Sequence, residues 1–366
     1  MRWVFSALIL LHGALHFAGF AKAFGLAELS QLGVPISRTM GIAWLVAGGM
    51  LLATAGMFVR GIRGWWAVGF GAVLLSQIVV ISSWSDARFG TIVNGFLLVG
   101  VGYGFASRGP FSSSAHYRRE VRLRIAHATS QSLVTDRDLE HLPDPVQRYL
   151  RMSGAVGQPR VQYFSAVWRG RIREKPDDAW MEFKAEQHNF PSEPARFFLM
   201  DARKGGLPVD VYHAFRDHAA TMRVKLLSLF PLVSAKGPKV DRAEAVTLFN
   251  DLCILAPAAL LDSAIEWEPI DMRSVRGRYT VGSNTVCGVL LFNEKDELVD
   301  FVSEDRLIAS SDGRQFTRQR WSTPVGAYRD FGRRRVSTRG EGRWHPSDGE
   351  YSYLEVELLD LQTNGE

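Results

Sequence analysis

Four apolar segments crowd the first 110 residues, at 3–24, 40–59, 65–84 and 90–107. Each approaches the roughly 20 residues a helix needs to cross a bilayer. This third of the chain holds only Arg2, Lys22, Arg38, Arg60, Arg63, Arg88 and Arg108 against Glu28 and Asp86. That leaves 36 basic and 36 acidic side chains for the remainder, so the formal charge of +5 belongs entirely to the apolar third. A hydrophobic content of 46% could also serve a large soluble core, but its concentration at one end decides for membrane spans. The first segment lacks a small-residue cleavage site and is followed by three more, so it reads as a span and not as a signal peptide. The pattern predicts a four-helix transmembrane bundle over residues 1–110. Small residues at Gly49 and Ala53, Ala67 and Gly71, and Gly100 and Gly104 would let its helices approach closely.

Loop charge sets an expected orientation. One side carries Arg2, Arg60, Arg63, Arg108, Arg118, Arg119, Arg122 and Arg124; the other carries Lys22, Arg38 and Arg88. The positive-inside rule then places the N-terminus and everything after residue 110 in the cytoplasm. Arg118, Arg119, Arg122 and Arg124 would lie at the anionic inner leaflet, at about 1 kcal/mol each, or act only as a topology determinant.

Polar residues inside the spans are few. Counted along each helix at about 1.5 Å per residue, His16, Gln77 and Asn94 fall at one depth, roughly 18–20 Å from the cytoplasmic end. His12 shares a helical face with His16. These residues are expected to form a small polar ligand pocket, roofed by Trp84 and Asp86; the alternative is that they hydrogen-bond helix to helix. Bis-histidine haem ligation is disfavoured, because His12 and His16 share one helix and no other span holds a histidine.

After a basic juxtamembrane helical linker at 111–158, the period of the sequence changes to two. Thirteen segments between 161 and 359 alternate as strands, among them 221–229, 299–309 and 315–322. Short connections predict an antiparallel sheet over 159–366. One long helix interrupts it, expected at 241–261, with Asp241 as N-cap and Glu244 closing a capping box. Val246, Phe249, Leu252, Cys253, Ala256 and Leu260 recur at helical spacing and form the stripe expected to face an apolar ligand. The predicted fold class is therefore a four-helix transmembrane bundle plus an α+β domain, an antiparallel curved sheet packed as a half-barrel on one long helix.

The chemistry of the common enzyme motifs is missing. No nucleophile elbow, zinc-binding HExxH, phosphate-binding loop or EF-hand pattern occurs, and Cys253 and Cys287 stand alone in apolar contexts. Glu266 and Glu268 flank Trp267 as the solvent face of a strand, and His213 and His218 have no third ligand at metal spacing. No catalytic residue, metal or cofactor is expected. A soluble part neutral in sum gives no footprint for nucleic acid, despite the overall pI of about 9.3.

Several motifs carry a resemblance. LHGALHFAGFAKAFG near the start, LPDPVQRYL at 142–150, Trp180 with Phe183, Ala185 and Gln187, KLLSLFPLVSAKGP at 225–238 and Trp267 resemble an uncharacterised bacterial family, domain of unknown function 6544. The order of strands and helix is similar to the half-barrel of bacterial lipoprotein carriers, and GFAKAFG is similar to DoxX-type membrane proteins. The spans, the basic juncture and a sheet-on-helix domain rich in Phe and Trp together lead to the expectation of a multi-pass protein of the bacterial plasma (inner) membrane, in contact with the bilayer, whose half-barrel binds a lipid, isoprenoid or other apolar molecule. A tethered interaction or sensor module with a solid core is the second expectation. A quinone- or haem-linked oxidoreductase using His12 and His16 is the third.

Overall fold

The computed structural model describes residues 2–29, 32–126, 132–309, 315–347 and 349–365. Two compact units divide the chain, residues 1–116 and 117–366. Part of the expected 111–158 linker, at 127–131, lies outside the described residues.

The first unit is helical: α1 (Arg2–Ala23), α2 (Arg38–Val59), α3 (Trp65–Ser82), the single turn α4 (Trp84–Ala87) and α5 (Gly90–Arg108), with α6 (Ser113–Ile125) running on into the second unit. Four of its helices are long and apolar enough to cross a membrane. Their polarity is inverted relative to a water-soluble bundle. Leu11, Leu15, Ile78, Ile92, Phe96 and Val99 point outward, while His12, His16, Thr54, Ser76 and Asn94 are buried inside. Small residues do allow close approach, though not all at the expected positions. A side chain on Gly48 would strike the Gly13 carbonyl at 2.9 Å, and Gly104 gives way to Trp65, but Gly49 faces open space.

The second unit is built on antiparallel strands. These are β1 (Phe164–Ile172), β2 (Met181–Phe190), β3 (Ala195–Lys204), β4 (Leu207–Arg216), β5 (Ala219–Leu226), β6 (Phe230–Lys236), β7 (Ile265–Asp271), β8 (Ser274–Val281), β9 (Asn284–Phe292) and β10 (Leu298–Ser303). After them come β11 (Leu307–Ala309), β12 (Phe316–Arg318), β13 (Trp321–Ser322), β14 (Val325–Phe331), β15 (Arg334–Trp344) and β16 (Tyr351–Thr363). The helices are α7 (Asp144–Met152) and α8 (Pro238–Leu255). One curved sheet runs β6-β5-β4-β3-β2-β1-β16-β15-β13-β10-β9-β8-β7, with β14 also on β15 and β11–β12 a separate pair. Hairpin connections dominate, and β1 and β16 close the middle from opposite ends of the domain.

Three predicted strands divide. The segment 221–229 ends at Leu226, turns through Leu227 and Ser228 in left-handed conformation, and returns as β6. The segments 299–309 and 315–322 each break in two because their outer halves pair with each other as β11–β12, away from the main sheet.

Helix α8 begins earlier than expected. Gly237, at φ 105°, ends β6, and Pro238 occupies the first turn, where its missing N–H costs nothing. Asp241 is not the cap: it accepts the Ala220 backbone N–H at 2.6 Å. After Leu255 the chain tightens into a 3₁₀ turn, Pro257–Leu261. The apolar stripe of Val246, Phe249, Leu252, Cys253, Ala256 and Leu260 is wholly inside the main core, with α7 and the inner face of β8 to β10. Opposed glycines admit it. Gly277 on β8 pairs with Gly288 on β9, and a Cβ on either would meet the Phe249 ring, at 2.5 and 3.1 Å. Phe249 fills that notch and stacks on Tyr279, with centroids 5.5 Å apart.

A Gly288→Val substitution is therefore expected to cost about 1–3 kcal/mol through overpacking against Phe301 and Phe249. Gly326→Ala, which meets open space, should leave the melting temperature unchanged; thermal unfolding of both variants checks the comparison.

Candidate functional site

The inner sheet face and the far side of α8 do not meet. Between them lies a cavity of about 460 Å³, within the range of pockets that enclose small ligands. Its sheet wall is apolar: Phe183, Phe198, Met200, Val211, Met222 and Val224 project into it from β2 to β5. Alternation along each strand produces this wall, since every second residue faces inward. Its helix wall is mixed, because Val240, Glu244, Thr247, Asn250, Asp251 and Ile254 recur on one side of α8. The stripe expected to face a ligand thus points into the core, and the opposite side of the same helix lines the cavity.

The polar side of α8 is tied to the sheet by a buried cluster. Arg196, 7% exposed on β3, donates from Nε to Asp251 at 2.7 Å and from a terminal nitrogen to Glu244 at 2.8 Å. Gln187 and Asn189 on β2 donate to the same Asp251 oxygen at 2.7 and 3.1 Å. Trp168 Nε1 donates to Gln187 at 3.2 Å, and the Arg196 guanidinium sits 4.9 Å from the Phe198 ring centre. Burial works to raise both carboxyls. At Glu244 the attraction of Arg196, with His213 alongside at 3.8 Å, outweighs it and holds the group well below the usual range. At Asp251 burial prevails and the carboxyl is raised. Arg306 completes the wall: it donates to the Ala243 carbonyl and Thr247 hydroxyl and lies 5.1 Å from the Trp321 ring centre. Its Nε is buried with no hydrogen-bond partner among the described residues.

In the first unit, α1, α3 and α5 share one polar network. His12 Nε2 lies 3.1 Å from Ser76 Oγ and 3.0 Å from Asn94 Oδ1, and His16 Nε2 lies 2.9 Å from Ser76 Oγ. With neutral rings one hydrogen assignment serves both histidines, while Ser76 Oγ, also 2.9 Å from Asn94 Oδ1, has a single hydrogen for which His16 and Asn94 compete. His16 Nδ1–H donates to the His12 carbonyl at 2.8 Å, so its Nε2 accepts from Ser76 and His12 donates to Asn94. Asn94 passes the chain to Gln77 at 3.0 Å and Gln77 to Thr91 at 3.0 Å. His12, His16, Gln77 and Asn94 are brought together around Ser76, a residue outside the expected set. Trp84 and Asp86 lie outside the network: Trp84 is half exposed, and Asp86 accepts the Val34 N–H at 2.8 Å.

The basic segment is a docked helix. Tyr117, Val121 and Ile125 of α6 pack with Phe190, Phe197 and Tyr212 on the outer face of β2 to β4. Arg124 lies 5.5 Å from the Phe197 ring centre and 3.9 Å from Asp217, while Arg119 and Arg122 are exposed. Among the described residues no group of three or more His, Cys, Asp or Glu is placed to hold a metal ion.

Residues 132–356 match the model of a Family of unknown function (DUF6544). The chain belongs to that family. No curated protein matches it. Among solved structures it is similar to a LolA superfamily protein from Nitrosomonas europaea, at 12% identity and a TM-score of 0.34, over 60% of this chain and 93% of that one. It is also similar to a DUF1329 family protein from Desulfovibrio piger, at 13% identity and a TM-score of 0.35, over 60% and 91%.

Two substitutions probe these clusters. Arg196→Leu leaves two buried carboxylates without their cation and is expected to destabilise the second unit by about 3–5 kcal/mol. Ser76→Ala removes the hub between both histidines and Asn94 and should cost about 1–3 kcal/mol. Thermal melts of the full chain in detergent read both.

Proposed function

We propose that this protein is a membrane-anchored binder of a lipid, isoprenoid or similar apolar molecule, held in the cavity between the curved sheet and α8. The observation that carries the reading is the asymmetry of the cavity wall. Phe183, Phe198, Met200, Val211, Met222 and Val224 offer an unbroken apolar surface, which a folded domain would ordinarily fill with its own helix stripe. Here the stripe is spent on the other side. Glu244 and Asp251 on α8 are already paired with Arg196 of the sheet, so they define the far wall, and the unpartnered Arg306 Nε offers one donor to a head group.

The four apolar helices supply the anchor in the plasma membrane, and the excess of arginine in alternate loops orients the chain with its second unit in the cytoplasm. The His12, His16, Gln77 and Asn94 network is a candidate second, intramembrane ligand site, with Ser76 as its hub.

Filling the cavity tests the reading. Val211→Trp places an indole where the ligand would lie. A fluorescent fatty acid titrated against the full chain in detergent should bind wild type saturably and this variant at least about tenfold more weakly. The melting temperature should stay within a few degrees of wild type. Equal affinity for both proteins would contradict a ligand in this cavity.

A further inference from the structure

The apolar wall of the cavity does not stop at its rim. Val211 and Val209 line it from β4, and Leu207, two residues further along the same face, is 40% exposed. Met222 and Val224 line it from β5, and Leu226 continues that face to the end of the strand. The two tracks run side by side, since Val209 pairs with Leu226 and the Leu227 N–H donates to the Pro208 carbonyl at 2.8 Å. They end at one corner of the sheet, where the β3–β4 and β5–β6 turns are neighbours.

The composition of that corner is wrong for water. Leu229, Phe230 and Leu232 are 45%, 58% and 49% exposed, beside Leu207. The three-residue β5–β6 turn, Leu227 to Leu229, holds Leu227 and Ser228 at φ 54° and 56°, left-handed positions that normally go to Asn and Gly. At the opposite end the two-residue β4–β5 turn gives its left-handed positions to the polar Asp217 and His218. A half-buried leucine in a strained turn is thus a local choice and not a habit of the fold. The rim carries two cations: Arg203 and Lys204 are exposed at the end of β3. One step in from the edge Asp201 pairs with Asp210, and Asp210 lies opposite Lys225 on β5.

We propose that this corner, Leu207 with Leu227 to Leu232, dips into an anionic lipid surface, and that the cavity exchanges its apolar ligand with the bilayer along the two tracks. The exchange step rests on the lipid-binding reading above; the contact with lipid does not. Apolar groups edged by Arg203 and Lys204 match an interface in which side chains sit about 5–10 Å into the headgroup and acyl boundary, and each Lys or Arg adds about fivefold in affinity.

The test uses the full chain with Cys287→Ser, leaving only the fully buried Cys253, reconstituted in vesicles containing phosphatidylglycerol. An environment-sensitive fluorophore on Ser228→Cys should be quenched by lipids carrying a nitroxide on the acyl chain, whereas one on His218→Cys should not. Phe230→Glu should slow transfer of a fluorescent fatty acid from vesicles to the protein about tenfold while leaving equilibrium affinity unchanged. A Ser228→Cys probe that stays in water overturns the contact. So does one shielded but not quenched, which would mean a protein partner. Transfer at wild-type speed in Phe230→Glu overturns the exchange route. If wild type binds no fatty acid yet the probe is quenched, the cavity reading fails and the lipid contact stands.

Discussion

One buried guanidinium fixes the geometry on which the second unit depends. Arg196 reaches from the sheet to both Glu244 and Asp251 on α8, seven residues apart and therefore two helical turns apart on one face. It pins the helix in rotation as well as in position. Isolated, any of these three charges would be too costly to bury; together, with Gln187 and Asn189 completing the coordination of Asp251, they are held in place. A hydrophobic contact would tolerate a roll of the helix by a fraction of a turn, whereas this cluster does not.

That fixed rotation is what divides α8 into two working faces. Phe249 is seated in the notch between Gly277 and Gly288, with Leu252 and Cys253 beside it in the core, and the reverse side cannot then contribute apolar bulk to the sheet strands opposite. Space is left over β2 to β5 because the helix presents short polar and charged groups there. The cavity follows from which face of one helix was given to the core.

The broad plan was legible in the sequence because it rests on periodicity. Apolar runs of span length marked α1, α2, α3 and α5, and alternation marked most strands of the sheet. The orientation of α8 was not legible, because an apolar stripe says that a face is buried without saying against what. The polar set Glu244, Thr247 and Asp251 carried the missing signal: acidic groups on a helix that must be covered on all sides require a buried cation, and Arg196 sits in a strand of otherwise apolar neighbours. Gln187 reads in the sequence as one position of a motif with Trp180 and Phe183, and nothing there marks it as a donor to a buried carboxylate. The break at Leu227 and Ser228 was hidden for a related reason. Leucine is a poor turn former in water, so a hairpin there reads as continuous strand. In the first unit, counting residues placed His12, His16, Gln77 and Asn94 at one depth, yet Ser76 escaped because a serine in an apolar helix is unremarkable until its hydrogen bonds are known.

The central claim is that an apolar molecule occupies the space between α8 and β2 to β5. Photo-crosslinking of the full chain in vesicles with a lipid bearing a diazirine on its acyl chain, followed by peptide mapping, addresses it most directly. The account predicts adducts on Phe198, Met200, Val211 or Met222, in addition to those on the apolar helices. Adducts confined to residues 2–108 would contradict it.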